Sequence, residues 1–408
     1  MKTINKKDLP IKIIFYVLTA VYGGLCFYLF YNQSLQQTYS DSLLFESDLP
    51  YHISMVVDDG WYYSLTALIY AGLYRLANGT VFIAAFLAIC SAATVIATKK
   101  FLDELMEDGG AVNYAGALCL NFVMPFFIRW AGMYRYVSYQ SPNVWHNSTY
   151  ICMRLCAVIF MYFFVKYEKD YKKENLNLKK WLMLTILLAL TTFVKPSFLT
   201  VFAPALALKL LWDLIKNKIK FIRVFLMGLT VIPSLAIILW QNSVLFGDDS
   251  SGYKISFMET FSFHADHPKV TVLLSLSFPI IVFLCIAVGV IMDAAGNKTN
   301  KKTLKESVKE ICGNKDYIFT IIMAAVGFAE AILLIETGKR SRDGNFLWGY
   351  SAAMFFLYIT SFKMWYSFLK QKRWIAFVLC AAVLVYQIVC GAIFFTRLIS
   401  GETYFMIG

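Results

Sequence analysis

Residues 39–61 read YSDSLLFESDLPYHISMVVDDGW. Asp41, Glu46, Asp48, Asp58 and Asp59 crowd into this stretch with His52, one of four histidines in the chain. Everything around it is apolar: 59% of the 408 residues are hydrophobic, only 16% are charged, and the mean hydropathy is +0.59. A soluble domain carries about a quarter charged residues. The contrast predicts an all-α, polytopic membrane protein, one membrane domain over 1–408, with a polar loop at 32–79. Carboxylates beside hydrocarbon are costly unless they face water or a polar cavity. Asp48 and His52 are four apart and share a face if the segment is helical, with Ile53, Val56 and Val57 roughly opposite. This fits an amphipathic surface helix aiming its acids at a cavity, and it also fits a solvated loop with a helix resting on the membrane.

Working outward, apolar runs of roughly spanning length fall near 11–31, 81–98, 112–130, 144–165, 181–194, 197–213, 223–241, 270–292, 317–336, 346–365 and 374–396. They predict eleven spans. The first follows Lys2, Lys6 and Lys7 and has no small-residue cleavage site after it, so it reads as a retained helix. Trp61–Leu76 reads as a segment outside or dipping into the membrane, with Asn78-Gly79 turning into the next span.

Basic residues assign the faces. Loops 1–12, 99–109, 166–180, 209–223, 293–316 and 363–373 hold 27 of the 38 Lys and Arg. Placing them inside predicts a multi-pass plasma-membrane protein with a cytoplasmic N-terminus. The net charge of +12 is then explained by orientation and contact with membrane lipids, not by nucleic acid. All four histidines and the 39–61 acids gather on the extracytoplasmic face. The nine cysteines lie mostly inside apolar runs and read as small core residues.

Three further motifs fall on that outer face. Pro142-Asn143-Val144-Trp145-His146-Asn147-Ser148-Thr149 spaces Asn143, His146 and Asn147 for one helical face. It reads equally as a helix cap with an aromatic anchor. Phe193-Val194-Lys195-Pro196-Ser197 breaks about thirty apolar residues into two half-length helices. A lysine there needs water, an anion or a carboxylate, or it snorkels out of a simple turn. Lys339, Arg340 and Arg342, followed by Asn345, place cations in the outer loop 337–345, where the orientation rule does not ask for them. Arg and Lys there suit phosphate oxygens, and self-paired loop charge is the other reading. Glu330 and Arg154 read as paired core charges.

Together these features resemble the GT-C superfamily of integral-membrane glycosyltransferases, a group that includes protein mannosyltransferases, aminoarabinose transferases and oligosaccharyltransferases. The resemblance covers roughly residues 11–270: one N-terminal span, an outer loop with acids at Asp41 and Glu46-Ser-Asp48, the Trp61-Tyr-Tyr-Ser-Leu segment, the lysine-broken pair at Val194-Lys195-Pro196, and a later outer loop. Residues 271–408 add further helices. The acidic motif here is Glu-x-Asp, where the family more often has Asp-Glu or Asp-x-Asp.

The resemblance implies sugar transfer from a polyprenyl-phosphate donor to an envelope glycan, lipid or protein acceptor on the outer face. Asp48 or Asp41 would serve as base. Lys195 with Lys339, Arg340 and Arg342 would hold the leaving phosphate. Glu46 and His52 would orient the base or ligate a divalent metal ion, the only cofactor the reading allows. His52, Trp145, His146, Asn147 and Asn345 complete the expected substrate contacts. A lipid-linked-saccharide flippase and a non-catalytic subunit of a polysaccharide assembly system remain alternatives.

Overall fold

Hydrocarbon leaves a backbone no water to bond with, so long apolar runs close their hydrogen bonds as helices. The computed structural model describes residues 9–36, 44–77, 79–126, 128, 130–131, 140–246, 252–296, 313–338 and 344–402. In order these form α1 (Leu9–Ser34), α2 (Leu49–Val57), α3 (Leu65–Ala77), α4 (Val81–Leu105), α5 (Ala111–Leu120), α6 (Ser148–Lys173), α7 (Leu178–Val194) and α8 (Ser197–Ile215). Next come α9 (Phe221–Leu229), α10 (Ile232–Phe246), β1 (Tyr253–Ile255), α11 (Glu259–Ser262), α12 (Pro268–Ser275) and α13 (Ser277–Gly296). The chain then continues through α14 (Lys315–Leu333), β2 (Leu334–Glu336), α15 (Leu347–Lys370) and α16 (Trp374–Ile399). The predicted all-α class holds apart from the antiparallel β1–β2 ribbon, which pairs Tyr253 with Glu336.

Among the described residues seven stretches are long and apolar enough to cross a membrane: α1, α4, α6, α8, α9 with α10, α14 and α16. The α12–α13 pair, bent by 62°, makes an eighth if counted as one span. This supports a multi-pass membrane protein with seven or eight candidate spans by length and composition among the described residues, and it does not confirm the predicted eleven. Three expectations account for the difference.

The 112–130 run gives only the ten-residue α5. Asn143 donates through Nδ2 to Leu120 O at 2.9 Å and Val123 O at 2.8 Å, taking carbonyls that a longer helix would use. The chain then lies against α16, where Met124 N donates to Gln387 O at 3.1 Å. A side chain at Gly391 would strike Phe122 O, so glycine is what lets this backbone approach. The 181–194 run forms α7, which is 17 residues long. The 346–365 run forms α15, whose Ser, Thr, Tyr and Trp content lowers its hydropathy. Every residue from Leu347 to Phe362 is buried, so α15 meets protein and needs no lipid-facing apolar surface.

At the α12–α13 bend, Tyr358 donates to Ser275 O at 2.9 Å, and Gln387 Nε2 donates to Ser277 Oγ at 2.6 Å and Tyr358 Oη at 3.0 Å. Backbone freed by a bend within hydrocarbon needs such partners.

Polar contacts sort the loops into two faces. On one, Lys169 meets Glu104 (3.1 Å), Lys209 meets Glu168 (3.1 Å), Lys363 meets Asp316 (3.0 Å) and Lys370 meets Asp108. On the other, Asn147 meets Asp48, Lys195 meets Thr149, and Gln241 bonds the carbonyls of Tyr63 and Phe193. These are the two loop sets that the basic-residue count separates. Between them Phe160, Phe164, Phe198, Phe202 and Phe356 pack with ring centroids 4.8–6.0 Å apart.

The grouping yields a topological prediction. With the lysine-rich face cytoplasmic, Gln36→Cys in intact cells labels with an impermeant thiol reagent above the background of native cysteines, and Asn300→Cys does not. The opposite pattern would reverse the orientation.

Candidate functional site at the acidic face

The acidic stretch folds as proposed only in part. Leu49, Ile53 and Val56 are buried against α1 and α3, while Val57 is exposed. The apolar face of α2 is therefore covered by protein more than by lipid. Asp48 stands at the N-cap position, with Pro50 in the first turn, yet its side chain makes no cap bond. Its Oδ2 instead accepts from Asn147 Nδ2 at 2.9 Å. The carboxylate is thus turned onto another element.

Asn147 works in two directions. Its Oδ1 caps α6 by accepting from Tyr150 N at 2.9 Å, and it also accepts from Thr149 Oγ1 at 2.9 Å. Thr149 Oγ1 in turn accepts from Lys195 Nζ at 3.1 Å. One chain of hydrogen bonds thus runs Asp48–Asn147–Thr149–Lys195. The ammonium also lies over the Trp348 ring, 5.3 Å from its centroid. That ring packs beside His146 (5.7 Å) and Tyr150 (5.3 Å). At 5% exposure Asn147 is no accessible glycosylation acceptor despite the Asn-Ser-Thr sequence.

The position of Lys195 is electrostatically unusual. It precedes α8, touches Thr149 in the first turn of α6, and covers Trp348 in the first turn of α15. Three helix N-termini, each carrying partial positive charge, therefore meet around one lysine. A cation gains nothing from such company, and an anion gains from all four groups. The lysine is half-buried, so it is not simply snorkelling into bulk water.

His146 responds to the same field. Burial, and then the charge of Lys195, hold its imidazole well below its ordinary 6.5. The folded protein thus keeps His146 neutral where the unfolded chain binds a proton. Its contribution to stability is complete above about pH 6.5 and is lost as pH falls below that value. The expected slope approaches about 1.4 kcal/mol per pH unit. Melting temperatures between pH 8 and pH 5 should therefore fall more steeply for the wild type than for His146→Gln; parallel curves would contradict this. Glu46, partly buried and beside Asp48, has its carboxyl pushed upward by burial first and by the Asp48 charge second.

Other predicted site residues are placed differently. Trp145 is in the core, 1% exposed, donating from Nε1 to Tyr22 Oη at 2.9 Å among Phe122 and Phe395. It is neither an interfacial anchor nor an open substrate contact. Asn143, His146 and Asn147 precede α6 and do not share a helical face. Asn345 does not cap α15; it donates to Glu336 Oε2 at 2.7 Å and ties together the ends of the loop between β2 and α15. His52 lies one turn along α2 from Asp48, its N–H bonded to Asp48 O. Asp41, Lys339, Arg340 and Arg342 lie outside the described residues.

Arg154 and Glu330 are not paired, and among the described residues neither forms an ion pair. Arg154 donates to Pro142 O and Asn143 Oδ1, so it anchors the segment before α6. Glu330 Oε2 accepts from Thr200 Oγ1 at 2.9 Å. Thr149 and Trp348 are the residues that sequence reasoning missed. Their motifs were in view, but nothing in a linear reading brings residues 149, 195 and 348 together.

Among the described residues no three His, Cys, Asp or Glu side chains gather as a metal site. Glu46, Asp48 and His52 are close along the chain, but Glu46 and Asp48 raise each other's cost without a third ligand in place. The residues described do not fit a divalent ion, and no step below runs through one. The sequence matches no protein-family model and no curated protein.

Proposed function

We propose that this chain is a GT-C-like glycosyltransferase working from a polyprenyl-phosphate sugar at the extracytoplasmic face. One observation carries the reading. Lys195 and three helix N-termini form an anion-seeking cluster, and hydrogen bonds through Thr149 and Asn147 connect it to a carboxylate, Asp48. A donor phosphate on Lys195 would meet charge that grows in its favour as the glycosidic bond breaks. Asp48 takes the proton of the acceptor hydroxyl, the acceptor oxygen bonds to the anomeric carbon, and the phosphate leaves with the bonding pair. This is a single inverting displacement. Asp41 is the second candidate for the base. Lys339, Arg340 and Arg342, outside the described residues, are further candidates for the phosphate by their chemistry alone.

The phenylalanine cluster between the two faces supports the enzyme over a flippase. A transport path needs polar groups from face to face, and here five aromatic rings pack together where α6, α8 and α15 meet. A non-catalytic subunit would keep the fold without requiring Asp48 to be acidic. The experiment is transfer of labelled sugar from a polyprenyl-phosphate donor by the purified protein. Donor binding without any transfer would favour the flippase or subunit reading.

A further inference from the structure

β1 follows α10 and β2 follows α14, so the ribbon stands at the acidic-face ends of two spans. Pairing sets Ile255 opposite Leu334, and the bonds from Ser256 N to Leu333 O (2.9 Å) and Met258 N to Ile332 O (2.7 Å) carry the contact past β1. Two large apolar side chains are left outside: Ile255 is 81% exposed and Phe257 is 72% exposed. We propose that this ribbon is an interfacial anchor, with Ile255 and Phe257 entering the phospholipid leaflet at headgroup level on the acidic face.

Three observations point to lipid as the occupant. The span surface next to the ribbon is apolar and open: Leu239 and Val244 of α10 and Leu333 of α14 are all exposed. The height of the ribbon is fixed by Tyr253, whose Oη donates to Asn242 Oδ1 at 2.7 Å. Asn242 lies near the end of α10, two residues beyond the exposed Trp240. A Tyr and a Trp, both exposed and held at one level, mark a membrane–water boundary. Charge is kept off the apolar side. Successive strand residues face opposite ways, and Lys254, between Tyr253 and Ile255, pairs with Glu259 at 3.0 Å.

The backbone sets the depth. β1 has no second strand beside it among the described residues, and an open sheet edge in hydrocarbon would lose its hydrogen bonds. The backbone therefore stays among hydrated headgroups while the two side chains reach the top of the acyl region. Other occupants fit less well. Two side chains fall far short of the roughly 1,200–2,000 Å² of a stable protein interface. A β1 of three residues offers an added peptide strand few main-chain bonds.

The test uses the full chain in phosphatidylcholine nanodiscs, with a photo-crosslinking residue introduced one site at a time and adducts read by intact mass. On irradiation, Ile255→p-benzoylphenylalanine and Phe257→p-benzoylphenylalanine should each gain the mass of one phosphatidylcholine. Leu239→p-benzoylphenylalanine, on the open face of α10, should do the same as a reference. Glu259→p-benzoylphenylalanine, on the charged side, should gain little or none. Both ribbon positions are exposed, so the larger side chain has room and the fold is kept. A lipid adduct missing at either ribbon position, or one as abundant at Glu259 as at Phe257, would overturn the proposal. So would an adduct of two chains at Ile255 or Phe257, which would make the ribbon a contact between copies. None of these results depends on sugar transfer.

Discussion

On the proposed transferase reading, Asp48→Asn is expected to slow glycosyl transfer by about 10² or more while the melting temperature stays near that of the wild type. The rate effect follows because an amide cannot take the acceptor proton. The stability expectation rests on geometry. The Asp48 side chain does not cap α2, and its Oδ2 accepts a hydrogen bond from Asn147 Nδ2. The amide oxygen of Asn can accept the same bond, so the link to α6 survives. Asp41→Asn, assayed alongside, tells which carboxylate is the base. Unchanged transfer in both variants would remove the catalytic role from this stretch.

On the same reading, Lys195→Met is expected to lower transfer by about 10² to 10³, the effect of losing one preorganised donor to a developing oxyanion. Methionine keeps most of the apolar stem against Trp348 but loses the ammonium and its bond to Thr149. The cation–π contribution lost is about 1 kcal/mol, too small to unfold the bundle. Lys195→Arg keeps the charge and should retain more activity than Lys195→Met. Wild-type rates and donor affinity in Lys195→Met would make the residue a structural turn lysine.

Composition was enough to read the membrane class, and Lys195-Pro196 was legible as a break because a cation and a proline cannot continue an apolar helix cheaply. The two loop sets were legible because lysine content follows face. The 112–130 run gives a helix of ten residues among the described ones, because apolarity alone does not make a helix. What ends α5 is Asn143, more than twenty residues away, with Gln387 of α16 receiving the backbone beyond it. Asp48 illustrates the same limit at the site. An Asp just ahead of a Pro favours a helix start, but its partner Asn147 is 99 residues distant and no periodicity encodes that contact. The buried Trp145 was read as interfacial because tryptophan favours both settings, and only Tyr22 and Phe395, far apart in the chain, decide between them.

The most direct test of the central claim is a cryo-electron microscopy structure with a non-cleavable polyprenyl-phosphonate sugar. The account predicts the phosphonate within hydrogen-bonding distance of Lys195 Nζ, at the first turns of α6, α8 and α15, with the sugar toward Asp48. A phosphonate seated away from Lys195, or a sugar with Asp48 out of reach of its anomeric carbon, would contradict it.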